Sequence, residues 1–211
     1  MSLFGSDSEG ELEIIKGLHL FPSLIPISVQ GELSLALSRE IFTGNTNQSM
    51  LFSSPAHQFP AFLNTLLDLL PQLFLDKIPP ALQARLFDNP AQRNIIMNLY
   101  RPGEGITPHV DLVDRYQNEI MGISLLSSTV MEFSEGSEKV EVVLRPGDVY
   151  IMEGEARYDW FHGITSRTSD FIAENGVERE VRRGKRMSIT IRRMIEGADR
   201  VGGDELSIRD G

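Results

Sequence analysis

The sequence predicts an α+β fold: a double-stranded β-helix (jelly roll) with N-terminal helices packed against the sheet. Two observations support this prediction. After Arg93, short apolar runs separated by turn signals recur to about residue 194, which is typical of antiparallel sandwiches and barrels. Before Arg93, apolar residues recur at helical spacing, as expected for helices that cover one face of a sheet.

The N-terminal part begins with a tail. Residues 1–12 are acidic and rich in Ser and Gly, so we expect them to be disordered. In 30–42 and 58–75 the apolar residues fall three or four apart, which predicts two helices, and a proline pair then opens a short third one. The polar segment 43–55 between the first two helices is expected to be a mobile loop and is a candidate lid.

Eight candidate strands follow, with Gly- and Pro-containing turns between them. They cover 94–100, 107–111, 119–126, 128–134, 139–144, 147–152, 157–162 and 185–194. Eight strands at this spacing fit a double-sheet jelly roll, and no internal repeat indicates a solenoid. Between the last two strands, 165–184 is expected to be a long polar loop.

We therefore expect one domain over 13–196, followed by a flexible tail over 197–211. Within it, 13–93 is a helical extension and 94–196 is the jelly-roll core. A chain of 211 residues is long enough to bury one sizeable core of this kind.

Composition restricts the function classes. The absence of cysteine excludes disulfides and thiolate metal sites. Apolar runs are too short to span a membrane, and the acidic N-terminus argues against a secretory or mitochondrial signal, so we expect cytoplasm or nucleus. The net charge of −10 and the pI near 4.9 disfavour tight binding to a long phosphate backbone.

One stretch near the C-terminus is basic. Between 179 and 193 only Glu180 is acidic, against seven basic residues: Arg179, Arg182, Arg183, Lys185, Arg186, Arg192 and Arg193. Such a run forms either a solvated loop or a local basic rim that contacts a short piece of nucleic acid. Both interpretations stay open at this point.

Three residues form a candidate metal site. In an extended strand, side chains two apart share a face, so His109 and Asp111 point the same way. His162 ends the seventh predicted strand, and a rolled sheet can bring it to the other two. Its neighbour Gly163 allows close approach of the backbone. Two histidines and one carboxylate bind non-haem Fe(II) and leave positions open for substrates.

The last predicted strand adds two arginines. Met187, Ile189 and Ile191 alternate with polar residues, so Arg186 and Arg192 fall on the same polar face. Two such planar guanidinium groups can bind the two ends of a small dicarboxylate. The alternative is an edge strand whose charges prevent aggregation.

Together these motifs resemble the AlkB family of Fe(II)/2-oxoglutarate dioxygenases. They are Asn98-x-Tyr100-x-Pro102-Gly103, His109-x-Asp111, His162-Gly163-Ile164 and Arg186-x5-Arg192. Their order and spacing match over 94–194, about half of the chain. The resemblance implies that His109, Asp111 and His162 ligate iron.

The resemblance also implies a co-substrate site. Arg186 and Tyr100 would hold the distal carboxylate of 2-oxoglutarate, and Arg192 and Asn98 would hold the end near the metal. With Fe(II) and O2, 2-oxoglutarate is converted to succinate and CO2 while a substrate C–H bond is hydroxylated. When that carbon is attached to a base nitrogen, the product releases formaldehyde.

The substrate is less well defined by the resemblance. Segments 122–127 and 154–159 resemble the mitochondrial branch of the family, whereas 160–164 and 105–109 resemble the branch that hydroxylates a tRNA wobble uridine. Members that act on nucleic acid stack an exposed base on aromatic side chains. Candidate substrate residues are Arg115, Tyr116, Tyr158 and Trp160, although Trp160 fits the core equally well.

Three functional hypotheses follow. The first is an oxygenase acting on a modified nucleobase, with RNA ahead of single-stranded DNA. The second is the same chemistry on a protein side chain or a small metabolite. The third is a metal-binding jelly-roll module without turnover. We expect 2-oxoglutarate and O2 as partners, no membrane partner, and a monomer.

Overall fold

The computed structural model describes residues 15–53, 58–174 and 176–198. The expected tail over 1–12, and the part of the expected C-terminal tail from 199 onward, lie outside these residues. The strands are β1 (Leu18–Phe21), β2 (Gln48–Phe52), β3 (Arg93–Tyr100), β4 (Ile106–His109), β5 (Tyr116–Leu125), β6 (Thr129–Glu135), β7 (Glu138–Leu144), β8 (Val149–Met152), β9 (Phe161–Ile164), β10 (Ser169–Glu174), β11 (Val177–Arg182) and β12 (Arg186–Met194).

The helices are short and lie mainly in the N-terminal half. They are α1 (Ile27–Ala36), α2 (Ala61–Leu73), α3 (Pro80–Gln83) and α4 (Gly154–Tyr158). A π-helical turn extends α1 over Leu37–Ile41, and another extends α3 over Ala84–Asp88. None of the helices in the described ranges is long and apolar enough to cross a membrane.

Two antiparallel sheets form the body of the described chain. The large sheet has the order β1-β8-β5-β12-β3-β2, and the small sheet has the order β4-β9-β6-β7. A cluster of buried side chains joins the two, with Ile120 from β5 packed together with Phe133 from β6 and Ile164 from β9. This arrangement is consistent with the predicted jelly roll.

The large sheet has an apolar face and a polar face because its strands alternate. Met187, Ile189 and Ile191 of β12 belong to a cluster that also contains the helical residues Leu63 and Leu66. Burying a side chain of this size stabilises the fold by about 1.5–3 kcal/mol. The other face of β12 is directed toward the small sheet and is polar: it carries Arg186, Ser188, Thr190 and Arg192.

Two segments predicted to be loops contain strands. In 43–55, β2 pairs with β3 from Gln48 opposite Asn98 to Phe52 opposite Asn94. In 165–184, β10 and β11 form a hairpin. Both predictions were wrong because the strands lack the apolar alternation that marks a half-buried strand. β2 is at most partly buried, β11 is exposed throughout, and of the two buried residues described in β10, Asp170 and Ile172, one is an acid.

Two predicted strands near the site have different bounds. The strand expected over 107–111 ends at His109, so Asp111 lies in a loop. The strand expected over 157–162 is replaced by α4, which ends at Tyr158, and by β9, which begins at Phe161. Short elements of four or five residues have boundaries that local periodicity does not resolve.

Candidate active site

Three potential metal ligands converge between the two sheets. His109 ends β4 opposite His162 of β9, and Asp111 follows in the loop. One donor atom from each of the three lies within 4.8 Å of the others. The imidazole centroids are 4.5 Å apart, and Nε2 of His162 lies 3.8 Å from Oδ2 of Asp111. This donor set can hold one side of a divalent metal and leave the other side open.

The tautomer of His109 and the protonation state of His162 suit metal binding. Nδ1 of His109 lies 2.9 Å from the carbonyl oxygen of Thr107, which can only accept, so Nδ1 donates and Nε2 carries the lone pair of the neutral ring. Burial lowers the pKa of His162 to about 4, and repulsion from His109 adds to this effect. His162 is therefore neutral at pH 7, as a metal ligand must be.

Arg192 connects the large sheet to the carboxylate ligand. Its Nη1 donates to Oδ1 of Asp111, and its Nε donates to Oδ1 of Asn94 at 3.1 Å. The ring of Tyr116 lies 4.1 Å from its guanidinium carbon. The Nη2 of Arg192 is buried and has no hydrogen-bond partner among the described residues. A buried donor of this kind fits a bound anionic ligand.

Arg186 lies at the other end of the same polar face. It is buried, its Nε donates to Oγ of Ser124 at 3.0 Å, and its guanidinium carbon lies 5.5 Å from the ring of Tyr100. No side chain in the described residues hydrogen-bonds to its two terminal nitrogens. Arg186, Tyr100 and Thr129 line one small pocket, and Oγ1 of Thr129 is buried without a partner. The donors in this pocket suit a carboxylate.

A buried tyrosine completes the polar face. Tyr150 of β8 lies across Gly122 of β5, where a Cβ would approach the tyrosine Cζ to 2.1 Å. Burial raises the pKa of Tyr150 to about 12, although attraction to Arg186 acts in the opposite direction. Its hydroxyl therefore stays protonated at neutral pH and is able to donate.

Asn98 makes a different contact from the one expected. Its Oδ1 accepts a hydrogen bond from Nε2 of Gln48 at 2.7 Å, across the β2–β3 pair. The asparagine that contacts Arg192 is Asn94, four residues earlier on the same face of β3. The structure thus brings Asn94, and not Asn98, into contact with Arg192.

Four contributing residues were not predicted: Asn94, Ser124, Tyr150 and Arg157. For Asn94 the period of two along β3 was an available signal, because Asn94, Asn98 and Tyr100 share a face. For Tyr150 the available signal was Gly122, since glycine inside a strand often marks the close approach of another group. Ser124 and Arg157 have no local signal in the sequence.

The four candidate substrate residues separate into two groups. Trp160 is 7% exposed and packs in the cluster between the sheets, and Tyr116 is 2% exposed and lies against Arg192. Both side chains are thus buried and packed against other residues, and a role toward a substrate stays a prediction for them. Tyr158 is exposed and Arg115 is partly exposed, so these two remain available at the surface.

The basic run does not form a continuous rim. Four of its seven members are buried: Arg183, Arg186, Arg192 and Arg193. Arg183, for example, binds Asp170 through two hydrogen bonds of 2.6 and 2.7 Å. On the exposed strand β11, Arg179 lies between Glu178 and Glu180, and Arg182 follows Val181. A solvated strand with mixed charge therefore replaces the expected loop or rim.

We expect Gly163→Ala to weaken metal binding. A Cβ at Gly163 would lie 2.8 Å from the backbone nitrogen of Pro108 and 2.9 Å from the carbonyl oxygen of Ile106, both on β4. Because backbone must move, β4 shifts and His109 separates from His162. The expected loss is about 10-fold or more in Mn(II) affinity, measured by calorimetry.

Gly31→Ala is the matched control. Nothing lies within 4 Å of a Cβ at Gly31 in α1, so this change should leave Mn(II) affinity unaltered and stabilise the helix by about 0.5–1 kcal/mol. Equal Mn(II) affinities of the two variants would contradict the close-approach argument.

The metal-free protein should lose stability on acidification because of His162. Its pKa is 6.5 in the ordinary state and about 4 in the fold, so between these values the unfolded chain binds the additional proton. The free energy of unfolding should then fall as pH decreases from about 6.5 to 4, by up to about 1.4 kcal/mol per pH unit. Urea unfolding in the presence of a chelator measures this slope, and His162→Gln should reduce it. An unchanged slope in that variant would disprove the assignment.

Comparison with known proteins identifies the class. The family model described as the 2OG-Fe(II) oxygenase superfamily matches residues 43–192, well over half of the chain. The protein therefore belongs to the 2OG-Fe(II) oxygenase superfamily. The family uses Fe(II), 2-oxoglutarate and O2, and the observed His-Asp-His cluster is the kind of donor set that such chemistry requires.

Within this superfamily the chain is AlkB-like, which confirms the resemblance predicted from the sequence. It is 40% identical over 95 residues to bovine "Alpha-ketoglutarate-dependent dioxygenase alkB homolog 7, mitochondrial", covering 44% of this chain and 41% of that protein. It is 43% identical over 79 residues to "tRNA (carboxymethyluridine(34)-5-O)-methyltransferase alkbh8" of Xenopus tropicalis, covering 37% and 13%. An uncharacterised mimivirus protein, L905, is 41% identical over 143 residues, covering 66% of this chain and 60% of L905. The chain spans less than two thirds of each of these relatives.

Solved structures support the fold. A prolyl-4-hydroxylase of Pseudomonas putida superposes with a TM-score of 0.55 at 12% identity, covering 86% of this chain and 94% of that one. The structure of OsALKBH1 superposes with a TM-score of 0.51 at 14% identity, covering 84% and 98%. At these identities the likeness concerns the fold alone.

Proposed function

We propose that the protein is an Fe(II)- and 2-oxoglutarate-dependent oxygenase that hydroxylates a C–H bond of its substrate. The observation that supports this best is the convergence of His109, Asp111 and His162 beside the buried Arg192. The overall reaction joins substrate, O2 and 2-oxoglutarate, and gives the hydroxylated substrate, succinate and CO2. One oxygen atom enters the alcohol and the other enters succinate.

In this proposal the three convergent side chains hold the metal. The donor atoms are Nε2 of His109, the carboxylate of Asp111 and the imidazole of the neutral His162. When bound, Fe(II) supplies the activation of O2, which no side chain of the chain provides. Arg192 orients the carboxylate of Asp111, because its Nη1 donates to Oδ1 and leaves Oδ2 on the side of His162.

The polar face of β12 holds the co-substrate. The two terminal nitrogens of Arg186 bind the distal carboxylate, and the unpaired hydroxyl of Thr129 lies in the same pocket. Burial raises the pKa of Tyr100, so its hydroxyl is protonated and can donate to the same carboxylate. The free Nη2 of Arg192 is available to the end of the co-substrate near the metal. Arg186 and Arg192 are both buried on this one face, and two buried positive charges favour a dianion between them.

For the substrate we propose a modified nucleobase in RNA or DNA, with RNA ahead. The support is the AlkB-like relatives, one of which is named as a tRNA methyltransferase. Exposed apolar side chains flank the ligands in sequence, namely Leu112, Val113, Phe161 and Tyr158, and such surfaces can stack against a base. On an N-methyl base, the hydroxylated carbon separates from the nitrogen as formaldehyde, and the nitrogen regains its proton.

The second candidate is a protein side chain or a small metabolite. Its support is electrostatic: the chain has a net charge of −10, and four of the seven basic residues in its basic run are buried. An acidic surface of this kind repels a long phosphate backbone.

The first experiment tests the enzyme. Iron-loaded protein should convert 2-oxoglutarate to succinate, and His109→Ala should not. If both proteins form succinate only as fast as free iron does, the protein is better described as a metal-binding module without turnover.

The second experiment separates the substrate classes. Oligonucleotides bearing N1-methyladenine, N3-methylcytosine or a modified wobble uridine are incubated with active protein, and formaldehyde release and mass change are measured. Product on any of them supports the nucleobase substrate. Succinate formation without any change in these oligonucleotides would favour the protein or metabolite substrate.

A further inference from the structure

We infer that Arg157 is a positioning residue that fixes the main chain of Asp111, and this inference rests on the proposed metal site. Arg157 lies on α4 and is 1% exposed. Its Nη1 donates to the carbonyl oxygen of Asp111 at 2.8 Å, and its Nη2 donates to that of Leu112 at 3.0 Å. One guanidinium group thus binds two consecutive carbonyls of the segment that presents the carboxylate.

The loop needs such support because Asp111 lies beyond the sheet. β4 ends at His109, which is the last residue of β4 paired with β9. In a continued strand, ladder hydrogen bonds would hold the backbone of Asp111. Here the guanidinium group of Arg157 holds the backbone instead, since it presents two parallel N–H donors at a fixed separation. The position of the Asp111 backbone therefore depends on a side chain and not on sheet register.

Helix α4, which carries Arg157, is itself fixed to neighbouring segments by hydrogen bonds from its backbone. The backbone nitrogen of Gly154 donates to Oδ1 of Asn118 on β5 at 2.8 Å, and that of Ala156 donates to the carbonyl oxygen of Lys16 at 3.0 Å. Ala156 is fully buried. His162 follows Arg157 by five residues. The same short segment therefore contains one proposed metal ligand and binds the loop that carries a second one, Asp111. The separation of Asp111 and His162 is then set by this segment.

The charge of Arg157 supports a role beyond simple stabilisation. No carboxylate among the described residues forms a salt bridge with it, and its Nε is buried without a partner. Burying a guanidinium group against neutral carbonyls costs stability compared with an apolar side chain of the same volume. Its positive charge lies at the main chain of Asp111, whose carboxylate is bound by Arg192 from the other sheet. Two arginines therefore hold this one residue, through its side chain and through its backbone.

Arg193 offers a matched control within the same protein. It is also buried, its Nη1 donates to the carbonyl oxygen of Ala91 at 3.1 Å, its Nη2 donates to that of Leu86 at 2.6 Å, and its Nε lacks a partner. It contacts neither the metal ligands nor the proposed co-substrate pocket. Arg157→Lys and Arg193→Lys therefore remove the same kind of fork, one at the site and one away from it.

The experiment measures Mn(II) affinity by calorimetry, the visible spectrum of the Co(II)-loaded protein, and urea unfolding for wild type and both variants. We expect similar losses of stability, but a Mn(II) affinity about 10- to 100-fold weaker in Arg157→Lys alone. The Co(II) bands should also change only in that variant, because ligand geometry changes. The KM for 2-oxoglutarate at saturating Fe(II) should stay within about 3-fold of wild type in both.

Equal Mn(II) affinity and unchanged Co(II) bands in Arg157→Lys would overturn the inference and leave Arg157 a structural residue. If Arg157→Lys does not fold, Arg157→Gln replaces it, because glutamine retains one donor group. Its Mn(II) affinity and Co(II) spectrum are then compared with those of wild type. Wild-type protein that binds neither Mn(II) nor Co(II) would overturn the proposed function itself, which is a distinguishable result.

Discussion

Asp111→Asn is expected to abolish 2-oxoglutarate turnover, with a loss of about 100-fold or more. Asparagine has nearly the same shape but no charge, so it binds a divalent metal poorly. Removing a ligand should cost at least as much as removing a residue that only orients one, which typically costs 10- to 100-fold. Succinate formation and Mn(II) affinity measure the effect.

The same substitution should also destabilise the metal-free protein. Asp111 is the buried partner of Arg192, and Arg157 lies at its backbone. Removing the only carboxylate that contacts Arg192 in the described chain leaves a buried charge uncompensated, which costs about 3–5 kcal/mol. Urea unfolding in a chelator measures this cost separately from metal binding.

Asp114→Asn is the control for both measurements. Asp114 lies in the same loop but is exposed, so its replacement should change neither turnover nor stability by a measurable amount. If Asp111→Asn retains half of the wild-type succinate formation, the carboxylate is not a ligand and the proposed metal site is wrong.

Arg186→Gln is expected to raise the KM for 2-oxoglutarate by about 100-fold. The side chain offers two terminal nitrogens that bind no described residue, and hydrogen bonds to a charged group contribute about 1.5–3 kcal/mol each. A 100-fold change in KM corresponds to about 2.7 kcal/mol in the free energy of co-substrate binding, which is what we expect from losing one such hydrogen bond together with the charge. Mn(II) affinity should be unchanged, because Arg186 contacts none of the three ligands. Initial rates over a range of 2-oxoglutarate concentrations measure the effect.

Two further variants make this result specific. Arg186→Lys keeps the charge but loses the planar fork, so it should give an intermediate KM. Arg182→Gln removes an exposed arginine on β11 and should leave KM unchanged. Similar KM values for Arg186→Gln and Arg182→Gln would mean that the co-substrate binds elsewhere.

Local patterns identified much of the candidate site in advance. The alternation in β12 placed Arg186 and Arg192 on one face, and the observed hydrogen bonds of both arginines are on that face. The glycine after His162 indicated a close backbone approach, and a Cβ there would indeed meet the backbone of β4. These signals are readable because side-chain direction in a strand follows from neighbours one or two residues away.

Other features depended on contacts distant in sequence. Asp111 was expected in a strand, but it lies in a loop held by Arg157, which is 46 residues away. The run between Arg179 and Arg193 was expected to form a solvated loop or a basic rim, but its member Arg183 is buried and pairs with Asp170. β2 and the β10–β11 hairpin form because a partner strand pairs with their backbone, although neither segment shows the apolar alternation of a half-buried strand.

The sequence by itself thus indicated the AlkB-like class, named the three candidate metal ligands and predicted the polar face of the last strand. The folded arrangement established which asparagine contacts Arg192, which arginines are buried, and what holds the loop of Asp111. The physical reason is that period and spacing specify the direction of a side chain, whereas burial and partner choice depend on which distant segment packs against it.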